Sequence, residues 1–187
     1  MGKKLVKKEI EVLDYFNEII KGIKTGVLLT TKHNNKINTM TISWGQVGIE
    51  WNKLIFTAYV RTGRHTHKML SESGVFTINI GSNQKAGKIL SFCGSKSGKT
   101  VDKVSELGLT VVEGNNIDVV GFKELPLTLE CKVIYQQLQD ENSISKSMKS
   151  RFYPHDVPSD YSGSNKDYHT MFYGEIVGAY LIEESDE

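Results

Sequence analysis

Residues able to do chemistry gather in three segments. The first, Asn38-Thr-Met-Thr-Ile-Ser-Trp-Gly-Gln46, leaves a strand pattern and enters a loop, so short hydroxyls and backbone N–H groups collect at one strand end. The second, Tyr59-Val-Arg-Thr-Gly-Arg-His-Thr66, sets two arginines and a threonine ahead of a short helix, whose free N–H groups add to an anion site. The third, Cys93 to Lys103, carries Lys96, Lys99 and Lys103 among small residues. Such a set suits a flat, partly apolar ligand that bears a phosphate. It suits equally a helix cap, a solvated lysine loop and a core tryptophan, and composition alone does not choose.

Other chemistries fit less well. Cys93-Gly-Ser-Lys-Ser-Gly-Lys-Thr100 approaches a P-loop, but the position that needs the first glycine is Cys93, and the segment follows a helix pattern where a P-loop follows a strand. His65 and His67 lie two apart on an expected helix and face different sides. With His33, His155 and His169 they read as surface or capping histidines, without a metal set. There is no G-x-G-x-x-G after a strand and no G-x-S-x-G elbow, and no catalytic acid or base stands out.

The elements that must position these segments are mostly strands. Ile10, Leu13, Phe16, Ile19, Ile20 and Ile23 recur at three- and four-residue spacing and predict a helix over 9–23, broken by Gly22 and Gly26. Strands are expected at 26–32 and 37–42 around an Asn34-Asn35 hairpin turn, then at 53–60, 74–80, 109–112, 119–122, 127–138 and 170–182. Short helices are expected at 65–73 and 84–92. Between Asp140 and His169 the chain turns polar without periodicity, which fits a lid over a site or a surface loop with no role. Many strands and few helices predict one mainly β domain over 1–187, a closed or nearly closed antiparallel barrel with peripheral helices.

The 187 residues suffice for one well-filled core, and a formal net charge of +1 gives no reason to expect nucleic acid or an anionic membrane as partner. No apolar run approaches a membrane span, and Met1-Gly-Lys-Lys reads as neither a signal peptide nor a myristoylation site. Two distant cysteines, Cys93 and Cys131, are expected to be reduced, in a cytoplasmic protein.

Four pieces in one order carry a family resemblance: N-x-M-T-x-S-W-G at 38–45, V-R-x-x-R-x-T-x-K at 60–68, C-G-x-K-S-G-K-x-V-D-K at 93–103, and H-x-x-F-x-G-E-I at 169–176. The chain resembles the flavin reductase-like, FMN-binding split-barrel family, in its flavoredoxin branch, over 26–182. The resemblance implies a split β-barrel with FMN at a homodimer interface. It implies Asn38, Thr41, Ser43 and Trp44 along the ring and ribityl chain, Arg64, Thr66, Lys99 and Lys103 at the phosphate, and Phe172 beside the ring. Ile42, Tyr59 and Ser97 complete the cofactor-binding set. It further implies a flavin reductase moving electrons from NAD(P)H through FMN to an acceptor, or else a flavoredoxin-type carrier with tightly held FMN and a protein redox partner. A non-redox FMN-binding module is a third alternative. One departure is that Thr62-Gly63 stands where relatives often carry Pro-Ser.

Overall fold

The computed structural model describes residues 4–185. Strand β1 (Lys4–Glu9) leads through a 3-10 turn at Val12–Tyr15 into helix α1 (Phe16–Thr25). β2 (Val27–His33) and β3 (Lys36–Ile42) form a hairpin, and β4 (Gly45–Glu50) with β5 (Lys53–Arg61) forms the next. Helix α2 (His65–Ser73), strand β6 (Val75–Ile80), helix α3 (Gln84–Ser95) and the short α4 (Lys103–Leu107) follow. The two-residue strands β7 (Val111–Val112) and β8 (Gly121–Phe122) precede the long β9 (Leu127–Leu138). Helix α5 (Lys146–Phe152) and the final strand β10 (His169–Ser185) complete the chain.

The main sheet is antiparallel in the order β3-β2-β6-β9-β10-β5-β4, with β1 paired to the far half of β10. β3 and β4 end this order, yet only Ser43 and Trp44 separate them in sequence. Two linking residues span about 10 Å at most. The sheet therefore curls until its outer strands approach, giving a barrel split along one seam. Ser43-Trp44 crosses that seam. This is the mainly β split-barrel fold the sequence led us to expect.

Alternation along the strands fills the barrel. Val27, Leu29, Phe56, Phe76, Ile78 and Leu129 point inward and are buried together with Phe172. β2 is covered on its other face too, because Leu28 packs with Ile89 and Leu90 of α3 and with Phe122. Both hairpin turns use left-handed backbone: Asn34 and Asn35 have φ of 48° and 60°, and Trp51 and Asn52 have φ of 50° and 59°.

Three expectations require correction. The helix expected at 9–23 begins only at Phe16, because β1 and β10 pair through the backbone and the chain must then turn. Gly22 does not break that helix. It lies inside it, where a Cβ would overlap the Ile80 side chain, and the helix ends at Gly26 with φ of 114°. The polar stretch from Asp140 to His169 is not structureless: it holds α5 and buries Tyr153 and Asn165.

Candidate functional site

The seam and the loops around it form a trough of two adjoining cavities. The first, about 310 Å³, is walled by Trp44, Tyr59 and His169, with Thr41, Ile42 and Ser43 along one side. The second, about 230 Å³, lies toward the 93–99 segment, where Thr66, Ser97, Lys99 and Lys103 face it. Met40, Thr41, Arg64 and Ser162 line both, so the two cavities share a wall, and together they fall in the size range of small-ligand sites.

The first cavity is aromatic. Trp44 lies tilted against His169 at 4.8 Å between centroids and meets Phe152 edge-on at 5.2 Å; Tyr59 stands edge-on to His169 at 6.4 Å. His169 is buried, contrary to a surface or capping role, because β10 pairs it directly with Arg61 on β5. Burial first, and then the guanidinium groups of Arg61 and Arg64, push its pKa down to about 3. The Tyr153 hydroxyl donates to Gln139 Oε1 at 2.8 Å, so the 3.0 Å contact between Tyr153 Oη and His169 Nδ1 is a bond donated by the ring. The neutral imidazole thus carries its proton on Nδ1 and leaves Nε2 as an acceptor.

The second cavity is cationic. Lys103 is buried, and its ammonium donates to Thr39 O at 2.7 Å and Cys93 O at 3.0 Å, which leaves one of three donors to spare. Desolvation lowers its pKa, as expected for a buried ammonium with no carboxylate partner among the described residues. Asn38 is buried beneath this end and donates to Thr66 Oγ1 at 2.6 Å, while Thr41 Oγ1 donates to Leu90 O. These contacts fix β3 against α2 and α3.

Two arginines tie the 140–168 segment over the trough. Arg61 donates to the carbonyls of Asp167 at 2.5 Å, Phe152 at 2.9 Å and Asn165 at 3.3 Å. Arg64 donates through one nitrogen to Tyr161 O and Ser162 O, at 2.8 and 2.9 Å. Gly63 lets the segment approach, since a Cβ there would overlap the Asp167 carboxylate. Thr62-Gly63 and the polar segment are therefore parts of one arrangement.

The chain matches the flavin reductase like domain over residues 21–187. It belongs to that family. Among solved structures it is similar to flavoredoxin of Desulfovibrio vulgaris, with a TM-score of 0.61, 24% identity, and coverage of 83% of this chain and 68% of that one. An FMN-binding domain of flavin reductases-like enzyme from Shewanella baltica gives a TM-score of 0.64 and 16% identity, over 97% and 78%. A Shewanella frigidimarina protein described as a flavin reductase with split barrel domain gives 0.63 and 17%, over 95% and 91%. These are likenesses of fold. An uncharacterized protein of Archaeoglobus fulgidus is 28% identical over 99 residues, 53% of this chain and 55% of its own, so the chain spans about half the length of that relative.

Eleven of the twelve residues picked out from the sequence line the trough or brace it. Phe172 does not: it is fully buried inside the barrel, edge-on to His67 at 5.4 Å, because its place on β10 points inward. His169, three residues earlier, takes the position beside the aromatic cavity. Phe152 and Ser162 also belong to the site and were not picked out from the sequence, and Arg61, the first arginine of the second segment, belongs to it through its bonds to the carbonyls of Phe152, Asn165 and Asp167. Their partners lie about a hundred residues away in sequence, so local pattern holds no signal for them.

Proposed function

We propose that this chain is an FMN-dependent flavin reductase, passing electrons from NAD(P)H through FMN to an acceptor. The observation that carries the reading is an aromatic cavity at the seam with a cationic one directly beside it, matching a flat ring joined through a chain to a phosphate. The donors present fit that group: Lys103 has a spare N–H, Arg64 has nitrogens beyond the one bonded to carbonyls, and Lys99 makes no ion pair among the described residues.

In this reading Trp44 and Tyr59 hold the ring at the seam, with Thr41, Ile42 and Ser43 along its edge. Arg64, Thr66, Ser97, Lys99 and Lys103 hold the phosphate, braced by Asn38. FMN, when bound, supplies the hydride and electron chemistry itself. The protein contributes orientation and a field: donors and cations gathered at one end favour a negatively charged ligand there. His169, neutral at working pH, offers Nε2 as an acceptor without placing a charge against the ring.

One observation favours a second reading, the electron carrier. Phe152 and Ser162–Ser164 wall the ring cavity, and a wall there leaves less room for a nicotinamide beside the ring. Anaerobic stopped-flow mixing separates the two. Rapid bleaching of bound flavin by NADH or NADPH is expected of a reductase; bleaching only by a reduced protein donor marks the carrier.

The assembly we propose is a homodimer. Ile49, Trp51 and Tyr135 are exposed on one side of the barrel, and Tyr135 meets both Trp51 and Tyr173 edge-on, which makes a contiguous aromatic patch of the kind that marks an interface. Two buried free cysteines support a reducing, cytoplasmic setting. No helix among the described residues is long and apolar enough to cross a membrane.

A further inference from the structure

Four ringed side chains wall the aromatic cavity: Trp44, Tyr59, Phe152 and His169. Trp44 stands on the seam link, Tyr59 on β5 and His169 on β10, so the barrel fixes these three. Phe152 comes from outside the barrel, as the last residue of α5. Its main chain is nonetheless pinned. Arg61 donates to its carbonyl at 2.9 Å, and the same guanidinium lies 6.0 Å from the Trp44 ring centroid and 5.0 Å from that of Tyr153. Tyr153, the next residue, is buried, stacks on Tyr168 at 4.7 Å and bonds Gln139 through its hydroxyl. The Phe152 ring itself is only half-buried. It meets Trp44 edge-on at 5.2 Å, and the Arg151 guanidinium lies 5.0 Å from its centroid.

With the backbone held at the Phe152 carbonyl and again at Tyr153, the side chain at 152 sets how much room the cavity has at this wall. That room is short. A volume of about 310 Å³ lies at the bottom of the roughly 300–1,000 Å³ usual for small-ligand sites. Such a space suits one flat ring system better than two stacked ones. Hydride transfer between two rings nevertheless needs the reacting atoms about 3–3.5 Å apart. A compact reductant has no such demand.

We propose that Phe152 is a specificity-determining residue of the ring cavity, its side chain filling space that the nicotinamide of NAD(P)H needs beside the flavin. The inference rests on the flavin reading of the trough, and it names the side chain that sets how well that site admits its donor. The step it governs moves one hydride, with its two electrons, from the nicotinamide to the flavin, leaving NAD(P)+ and reduced FMN. Phe152 exchanges no proton or electron in that step; it shapes the room. A smaller side chain at 152 admits a second flat ring more readily, and a larger one excludes it.

The test is anaerobic stopped-flow bleaching of the FMN-saturated full chain by NADH, by NADPH and, separately, by dithionite, in the parent and in Phe152→Leu, Phe152→Ala and Phe152→Trp. The ratio of the nicotinamide rate to the dithionite rate removes any change in the flavin's own reactivity. That ratio is expected to rise about tenfold in Phe152→Ala, the low end of the roughly 10–200-fold that one methylene is worth in a fitted pocket. Phe152→Leu should fall between, and Phe152→Trp should lie below the parent. The gain should appear in the nicotinamide concentration for half-saturation rather than in the limiting rate, as it does when a steric wall is removed. A purely structural role would lower the melting temperature without ordering the ratio by side-chain size. A ratio that does not follow side-chain size, in chains that bind FMN and are bleached by dithionite, would overturn the inference and leave the flavin reading standing. Absence of nicotinamide bleaching in the parent and in every variant would overturn it too, and would favour the carrier. A chain that binds no FMN contradicts the proposed function itself, and this inference with it.

Discussion

Arg64 carries two duties that meet in one side chain. Its guanidinium already holds the carbonyls of Tyr161 and Ser162, and it lines both halves of the trough. Arg64→Ala is expected to weaken FMN binding by about 1.5–3 kcal/mol, the range for hydrogen bonds to charged groups. It should also release the 161–162 backbone. Cofactor affinity unchanged by fluorescence titration would remove Arg64 from the phosphate site. His169 gives a pH signature. Its folded pKa of about 3 lies below the ordinary histidine value, so the unfolded chain binds the extra proton first as pH falls. Stability contributed by the neutral ring is complete above about pH 6.5 and is lost progressively as pH falls toward 3, by up to about 1.4 kcal/mol per pH unit. His67 and His65 are depressed as well and share the slope. Chemical denaturation between pH 7 and 5 should therefore show a shallower dependence in His169→Gln than in the parent; parallel curves would mean that His169 is not buried neutral.

Among the elements, the 140–168 segment depends on what it docks against. Gly63→Ser should push Asp167 and its neighbours off the barrel, and limited proteolysis near Tyr161 should then quicken several-fold. An unchanged cleavage pattern would show that the segment is held by Arg61 and Arg64 alone. Elements with local causes were legible in the sequence: the Asn34-Asn35 hairpin, the strands at β5, β6 and β9, and α2 all follow from short-range patterns. β1 was not, because its partner is the far end of β10. β4 was hidden because Gly45 and Gly48 look like loop and because a Trp51-Asn52 turn lacks the usual Asn-Gly signal. The short α5 offered too few turns for a period to emerge. The candidate site follows the same rule. Residues on contiguous segments, such as Thr41 to Trp44, could be named in advance, while Arg61 and His169 acquire their place only when β5 and β10 pair.

For the whole molecule, the split in the barrel is the organising fact. A two-residue link between the outermost strands of the sheet sets Ser43 and Trp44 at the seam, and the loops following β5 and α3 both line the cationic cavity. The exposed apolar patch of Ile49, Trp51 and Tyr135 stands on this same β4–β5 side. Ile49→Lys combined with Trp51→Asn, the latter suited to the left-handed turn backbone, should convert a dimer to a monomer in sedimentation velocity without loss of secondary structure. A parent that sediments as a monomer would contradict the dimer. The most direct test of the flavin trough is equilibrium dialysis of the purified chain against FMN, read by absorbance near the flavin band. Retention of about one FMN per chain, lost on Arg64→Ala, is the expected result; a chain that retains no more FMN than the outer buffer would contradict it.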